Sequence, residues 1–287
     1  MKSHLECIPC FLKQALEATR MVTDDEGVQT NVMSEVMKHL QTISFTESPP
    51  KLSRDVHKIV RDVTRSNDPY KQVKDRSNER AKRKYAYLKA VVRDSDDPLR
   101  TALKLSIVGN VIDYGTTNRF DVDSMIDTAL TQEIDERSYR LFTRMLKQSK
   151  TILFLADNAG EIIYDKLLVE ELIKTKKKIT YVIKKNPIIN DALEEDAKFA
   201  GIDRHATVIA WDSNQTESSP GIILPYASEH FLNLFESADM VLSKGQGNYE
   251  GLSDVKRDIC FLLVVKCPIV AQDIKDNLGK FILKVKQ

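Results

Sequence analysis

Apolar positions recur at helical spacing from the start of the chain to about residue 149. Between Cys10 and Val22 the stripe is Phe11, Leu12, Ala15, Leu16 and Ala18. Between Val28 and Leu40 it is Val32, Met33, Val36, Met37 and Leu40, and between Leu52 and Val63 it is Val56, Ile59, Val60 and Val63. Each set lines one face of a helix with 3.6 residues per turn. The next stretch, Lys71 to Val92, is dominated by charge until Tyr85, Leu88, Val91 and Val92, and reads as a helix with a broad solvated face. Asp68-Pro69-Tyr70 and Asp97-Pro98 carry the cap-then-proline signal of helix entries, the second leading into a helix that runs to about Ile112. Two shorter helices are predicted over Asp123–Thr131 and Asp135–Lys147.

The pattern changes at Lys150. Thr151 to Ala156 is a short apolar run that ends at Asp157, followed by an amphipathic segment from Glu161 to Lys174. Lys178–Ile183 and Thr207–Ala210 are further strand candidates, with a helix from about Asn190 between them. Ala227–Glu236 reads as a helix and Asp239–Leu242 as a strand. A glycine-rich loop follows, and Asp258–Val265 and Ile269-Val270 are read as strand material. Strands that alternate with helices favour a parallel sheet covered on both faces. The fold class is therefore α/β: an all-helical N-terminal subdomain over residues 1–149 and a Rossmann-like three-layer αβα domain with a mainly parallel sheet over 150–287. Asp212–Ser219 is polar and loop-like, and no internal repeat or low-complexity tract is present.

Composition narrows the function classes. In 287 residues, 43 Lys+Arg balance 42 Asp+Glu, and 42% of residues are hydrophobic. That is the profile of a folded globular protein, and a net charge of +1 gives no reason to expect nucleic acid or an anionic membrane as partner. The polar opening Met1–Cys7 has no apolar signal core, and the longest apolar run, Ile259–Val265, is too short to span a bilayer, so a cytoplasmic location is expected. The four cysteines, Cys7, Cys10, Cys260 and Cys267, then suggest metal or redox chemistry more than structural disulfides. The five histidines show no metalloprotease spacing.

Ligands of open α/β sheets bind beyond the carboxyl ends of the strands. Three segments end there with polar residues. Asp157-Asn158-Ala-Gly160-Glu161 offers one anionic and one neutral oxygen next to a helix start. Lys185-Asn186-Pro187 leads to Asn190-Asp191, a second carboxylate. Lys244-Gly245-Gln246-Gly247-Asn248-Tyr249 offers glycine amides and a lysine, a combination suited to phosphate. Hard cations such as Mg²⁺ and Mn²⁺ prefer oxygen ligands, with Co²⁺ and Ni²⁺ as further candidates, so the three segments together describe metal-assisted phosphoryl transfer. Read singly, each segment is also ordinary turn and cap chemistry. The functional case rests on all three meeting at one sheet edge.

Asp157-Asn158-Ala-Gly-Glu161, Asn190-Asp191 and Lys244-Gly245-x-Gly-Asn248-Tyr249 resemble the damage-control phosphatase family, also known as domain of unknown function 89. Cys7-x-x-Cys10, Asp68-Pro69-Tyr70 and Gly109-Asn110-Val-Ile-Asp113-Tyr-Gly115 resemble its cysteine-containing prokaryotic branch. The resemblance extends from Cys7 to Pro268. It implies a metal-dependent phosphatase of small phosphorylated metabolites, with Asp157, Asn158 and Asp191 as metal ligands. Lys244, Gly245, Gly247 and Asn248 would form the phosphate- and substrate-contacting loop, with Glu161 beside it and Lys266 as a second phosphate-binding lysine. Asn110 and Asp113 match a helical-domain motif facing the cleft. Asp157, Asp191 and Lys244 are the expected catalytic groups, the nucleophile being an activated water or the Asp157 carboxylate. Cys7, Cys10 and Cys267 are candidates for a second metal or redox site. Three other readings remain open. A phosphometabolite-binding regulator would show no turnover. A thiol or metal protein built on Cys7 and Cys10 would be insensitive to loss of Asp157. A methyltransferase using the loop at Gly245 would bind a nucleoside cofactor without divalent metal.

Overall fold

The computed structural model describes residues 1–112, 122–211 and 217–286, with the side chains of 110–112, 122–125 and 129 also left outside the description. Among the described residues seven helices precede the first strand: α1 (Cys7–Arg20), α2 (Glu26–Leu40), α3 (Pro49–Thr64), α4 (Lys71–Arg93), α5 (Pro98–Ile112), α6 (Val122–Thr131) and α7 (Glu136–Gln148). Their starts follow local chemistry. The Asp25 carboxylate accepts from Gly27 and Val28 N–H, Asp135 accepts from Ser138 N–H, and Pro49 fills the first position of α3, where no N–H is needed.

The strands and later helices alternate: β1 (Thr151–Leu155), α8 (Glu161–Lys174), β2 (Lys178–Ile183), α9 (Glu194–Ala200), β3 (Thr207–Ala210), α10 (Glu229–Ser237), β4 (Met240–Lys244), α11 (Gln246–Leu252), β5 (Ile259–Val264), α12 (Pro268–Ile274) and β6 (Phe281–Lys286). The six described strands form one sheet in the order β3-β2-β1-β4-β5-β6, parallel except for β6, which pairs antiparallel with β5.

Alternation along the strands sends side chains to two cores. Ile152, Phe154, Met240, Leu242, Cys260 and Leu262 face a layer of α4, α5, α7 and α8. Leu153, Leu155, Val241, Ile259, Phe261 and Leu263 face α10, α11 and α12. A third core, with Phe11, Ala15, Val32, Val36, Val56 and Val60, lies among α1, α2 and α3. Complete burial of one Leu or Phe is worth about 1.5–3 kcal/mol. An exposed pair such as Lys58–Asp62 gives at most about 1 kcal/mol, so the two sheet faces hold the sandwich together.

The helical N-terminal part thus consists of two groups. The helices α1–α3 enclose their own core, whereas α5 and α7 pack on the sheet as its outer layer although they precede β1 in the chain. Three local expectations change. The helix expected from Asn190 starts at Glu194, because residues 190–192 pair with residues 157–159 instead. Ile269-Val270 lies in α12, which Pro268 opens, and the last strand is β6. Finally, β4 extends two residues beyond Leu242, which reorients Lys244.

Gly160 joins the two halves. It has φ +73°, and a Cβ there would meet Ser77 Cβ of α4 at 2.8 Å. Its N–H donates to Asn78 Oδ1 at 2.7 Å. Gly160→Ala is expected to lower stability by about 1–3 kcal/mol in urea unfolding, from backbone strain together with displacement of α4.

Candidate metal and phosphate site

The order of the strands reverses between β1 and β4, which opens a crevice at their carboxyl ends. Asp157 stands two residues beyond β1, and Gly245 directly follows β4. The segment after β2 folds back across this crevice. Ala192 N–H donates to Asp157 O at 2.8 Å and Ala159 N–H to Asn190 O at 2.9 Å, which pairs Asn158 with Asp191 in an antiparallel bridge. Asp157, Asn158 and Asp191 are thereby brought to one place, and each is at least nine-tenths buried.

Hydrogen bonds fix the Asn158 amide. Its Nδ2 donates to Asp157 Oδ2 at 2.8 Å and to Glu161 Oε2 at 2.9 Å. Both amide protons are engaged by carboxylates, so Oδ1 is the atom the side chain presents elsewhere. Glu161 is in turn held by Lys244, whose Nζ donates at 2.6 Å to each of three acceptors: Glu161 Oε1, Asp165 Oδ1 and the Ser106 carbonyl. Asp165 also accepts from Ser106 Oγ at 2.7 Å and Tyr181 OH at 2.8 Å.

This geometry changes the role of Lys244. Strand β4 carries it, by alternation, to the same side as Leu242, under α5 and α8. All three ammonium protons are used inside the protein and the side chain is fully buried, so none is left for a phosphate oxygen. Burial alone would lower its pKa, but the Asp165 and Glu161 carboxylates outweigh this and hold it above the ordinary lysine value. Asn248 is likewise committed to the scaffold. Its Nδ2 donates to Ala156 O and Lys244 O, and its Oδ1 accepts from Ile222 N–H. Gly247 lies against the backbone of Pro220, where an added Cβ would come within 2.5 Å of the Pro220 carbonyl oxygen. Gly245 is different. It has φ +78°, and a Cβ built there would fall 1.9 Å from Asp157 Oδ2, so only glycine leaves room for that carboxylate.

The electrostatics follow from this packing. Burial pushes the Asp157 carboxyl up to about 7, with Glu161 adding to the shift and Lys266, Lys184 and Lys244 opposing it. Burial also holds Asp191 well above the carboxylate range, with Lys184 opposing and the Asp157 charge reinforcing the shift. Asp191 Oδ2 is buried without a hydrogen bond; its nearest cation is Lys184 Nζ at 3.5 Å. Two carboxylates that repel each other and an amide oxygen, one carboxylate oxygen lacking a donor, form a hard-oxygen set that fits a divalent cation.

Lys266 is exposed just past β5 and lies close enough to Asp157 to influence its charge. The side chain of Asn110 and all of Asp113 lie outside the described residues. Cys7 and Cys10 face the neighbourhood of Cys267 and Glu250, and burial raises both thiol pKa values. All four cysteines are free thiols, and among the described residues no group of three or more Cys, His, Asp or Glu side chains is arranged to hold a metal.

Several residues of the site escaped the sequence reading. Asn78 of α4 donates to Asp196 Oδ1 at 2.6 Å while it accepts from Gly160. Lys74, fully buried, lies 2.6 Å from Asp68 and near enough to Asp191 to favour its ionised form. Lys184 follows β2 as Asp157 follows β1, and Asp165 completes the network under the sheet. The available signals were a charged residue at the end of an apolar strand, for Lys184, and Asp165 four residues beyond Glu161 on one helix face.

The profile of the damage-control phosphatase ARMT1-like domain matches residues 3–282, so this chain belongs to that family. Among its relatives, an uncharacterized protein (MJ0202) of Methanocaldococcus jannaschii is 37% identical over 97% of this chain and 93% of its own. A damage-control phosphatase of Archaeoglobus fulgidus is 35% identical over 99% of both chains. The crystal structure of a family protein (PH1575) from Pyrococcus horikoshii superposes with a TM-score of 0.89 at 29% identity, over the full length of both.

Two outcomes are expected. A methyl group at position 245 must displace the Asp157 carboxylate, so Gly245→Ala should weaken Mn²⁺ binding by about tenfold or more in titration calorimetry while the circular dichroism spectrum stays unchanged. For Asp157, a folded-state pKa raised to about 7 means that the acid form is preferred on folding. Stability is then lost as pH rises from the ordinary carboxylate range through about 7. Metal-free Asp157→Asn should therefore melt higher than metal-free wild type at pH 8, and the gap should narrow at pH 5, where the folded wild type is protonated.

Proposed function

We propose that this chain is a divalent-metal-dependent phosphatase, a hydrolase of small phosphorylated metabolites such as sugar phosphates, nucleotides or cofactor phosphates, working in the cytoplasm. The observation that carries this reading is the pairing of Asn158 with Asp191, which gathers two buried carboxylates and an oriented amide oxygen at the switch point of the sheet. Membership of the damage-control phosphatase family and the printed names of the Archaeoglobus and Pyrococcus relatives support the reaction class.

Asp157, Asn158 and Asp191 would hold the cation, with Mn²⁺ or Mg²⁺ suited to the donor set and Co²⁺ or Ni²⁺ as alternatives. Once bound there, it would supply Lewis acidity to the phosphoryl group. The remaining work falls to the protein. Asp157 and Asp191 lose the carboxyl protons that burial favours, so binding releases protons and weakens as pH falls below about 7. Glu161 orients the Asn158 amide, and Lys244 orients Glu161, which makes Lys244 a positioning residue. Lys266, at the exposed rim, sets a positive charge where an anionic substrate enters. The buried surroundings strengthen each of these interactions relative to water.

The test is a screen of phosphate esters with Mg²⁺, Mn²⁺, Co²⁺ and Ni²⁺, reading released phosphate. Release should stop on exhaustive chelation and return on adding metal. Asp157→Asn and Asp191→Asn should each lower kcat/KM by about 100-fold or more. Wild-type rates in either variant, or turnover indifferent to chelation, would reject the reading.

A further inference from the structure

With the ammonium of Lys244 saturated, the deep part of the crevice needs another group to hold an anion. The sheet register points to it. Leu155 pairs with Val182, and Val182 pairs with Ile209. Counting two residues onward sets Asp157, Lys184 and Trp211 in a row across three strand ends. By alternation from Leu155, Val182 and Ile209 all three sit on the sheet side opposite to Lys244. The contacts agree with the row. Lys184 Nζ lies 3.5 Å from Asp191 Oδ2 and 5.4 Å from the centre of the Trp211 ring, and its charge is felt at Asp157.

Both donors in this row keep protons without a hydrogen-bond acceptor, although Lys184 is ion-paired with Asp191 and lies over the Trp211 ring. Lys184 is 3% exposed and Trp211 1% exposed. Among the described residues, neither Lys184 Nζ nor Trp211 Nε1 makes a hydrogen bond. The 3.5 Å separation from Asp191 is an ion pair too long to be a strong hydrogen bond. A buried ammonium held only by a long ion pair and the face of an indole ring, next to an indole N–H with no acceptor, retains unused donor capacity beside the carboxylate pair, and an occupant with acceptor oxygens would use it. That occupant must present at least two acceptor oxygens and a negative charge, and it must fit next to a divalent cation on Asp191. A tetrahedral phosphoryl group meets each requirement.

We propose that Lys184 and Trp211 are the phosphate grip of this site, the Lys184 ammonium and the Trp211 indole N–H each donating to a non-bridging oxygen of the phosphoryl group. The assignment rests on the phosphatase reading for its substrate, but not for its test. Trp211 is the only tryptophan in the chain, so its fluorescence reports directly on an anion arriving at Lys184.

The experiment titrates inorganic phosphate into the full-length protein saturated with Mg²⁺. Wild type should show a saturable change in tryptophan emission. Lys184→Met should weaken phosphate binding by about tenfold or more, and Lys184→Arg should recover part of the loss. Mg²⁺ affinity, measured by calorimetry without phosphate, should stay the same or tighten in Lys184→Met, because a positive charge facing Asp191 has been removed. A merely structural lysine would not separate the two affinities in that way. Trp211→Phe, followed by calorimetry, should weaken phosphate severalfold and keep its melting transition. Phosphate binding within twofold of wild type in both Lys184→Met and Trp211→Phe would overturn the proposal, as would absence of phosphate binding to Mg²⁺-loaded wild type. Phosphate binding that depends on Lys184, without turnover of any ester, would sink the phosphatase reading alone. Turnover with phosphate affinity independent of Lys184 would sink this inference alone.

Discussion

Two acidic side chains are forced together out of water, and the architecture around them answers that cost. Asp157 and Asp191 come from different strand ends and meet because the backbone of residues 157–159 pairs with that of residues 190–192. Main-chain hydrogen bonds supply the force, since nothing in the mutual repulsion of two carboxylates would. Around this pair the fold distributes lysines by layer. Lys184 faces it from β2, Lys266 from the rim, Lys74 from α4, and Lys244 from beneath through Glu161. The folded chain therefore carries a local instability that a cation would relieve, and binding and stability draw on the same interaction.

The helical N-terminal part contributes to the site through backbone support more than through its own chemistry. Asn78 and Ser77 of α4 brace the turn at Gly160 that aims Asp157 and Asn158. Ser106 of α5 offers both its hydroxyl and its carbonyl to the buried network under β4. Tyr181, from the middle of β2, closes the same network by donating to Asp165. Each hydrogen bond of this network has a charged group at one end or the other, and satisfied buried polar groups of this kind rigidify a fold.

Periodicity made most of the fold legible. The helices of the first half lie where hydrophobic spacing put them, while the strand before Asp157 and the helix after Gly160, buried on nearly every side, were legible as apolar runs. Failures came where a segment answers to partners far away in the chain. Asn190–Ala192 looks like a helix start and is instead recruited by residues 157–159. Phe281–Lys286 has strand character, but its lysines and its place near the chain end hid it beside β5. In the candidate site, Asp157 and Asn158 could be singled out because they follow an apolar strand and Asp191 because its loop leaves the same sheet edge, and it was the family resemblance that joined the three. Lys184 could not, because a lysine at a strand end is ordinary, and its burial appears only when Trp211 and Asp191 close over it. Lys244 was located but misdirected: a strand two residues longer than hydrophobicity suggested turns its side chain to the opposite layer.

The lysine at position 244 has an evolutionary corollary. Its ammonium neutralises two acids from a single helix while also capping a carbonyl of another, with no solvent nearby to compensate for a change. Residues 106, 161, 165, 181 and 244 should therefore be inherited as a block: a descendant that exchanged the lysine for a neutral residue would have to discard an acid at 161 or 165 in the same lineage, and losing Glu161 would release the amide at 158. Drift at this layer should proceed by coordinated replacement or not at all, whereas the exposed faces of the surrounding helices are free to diverge one residue at a time.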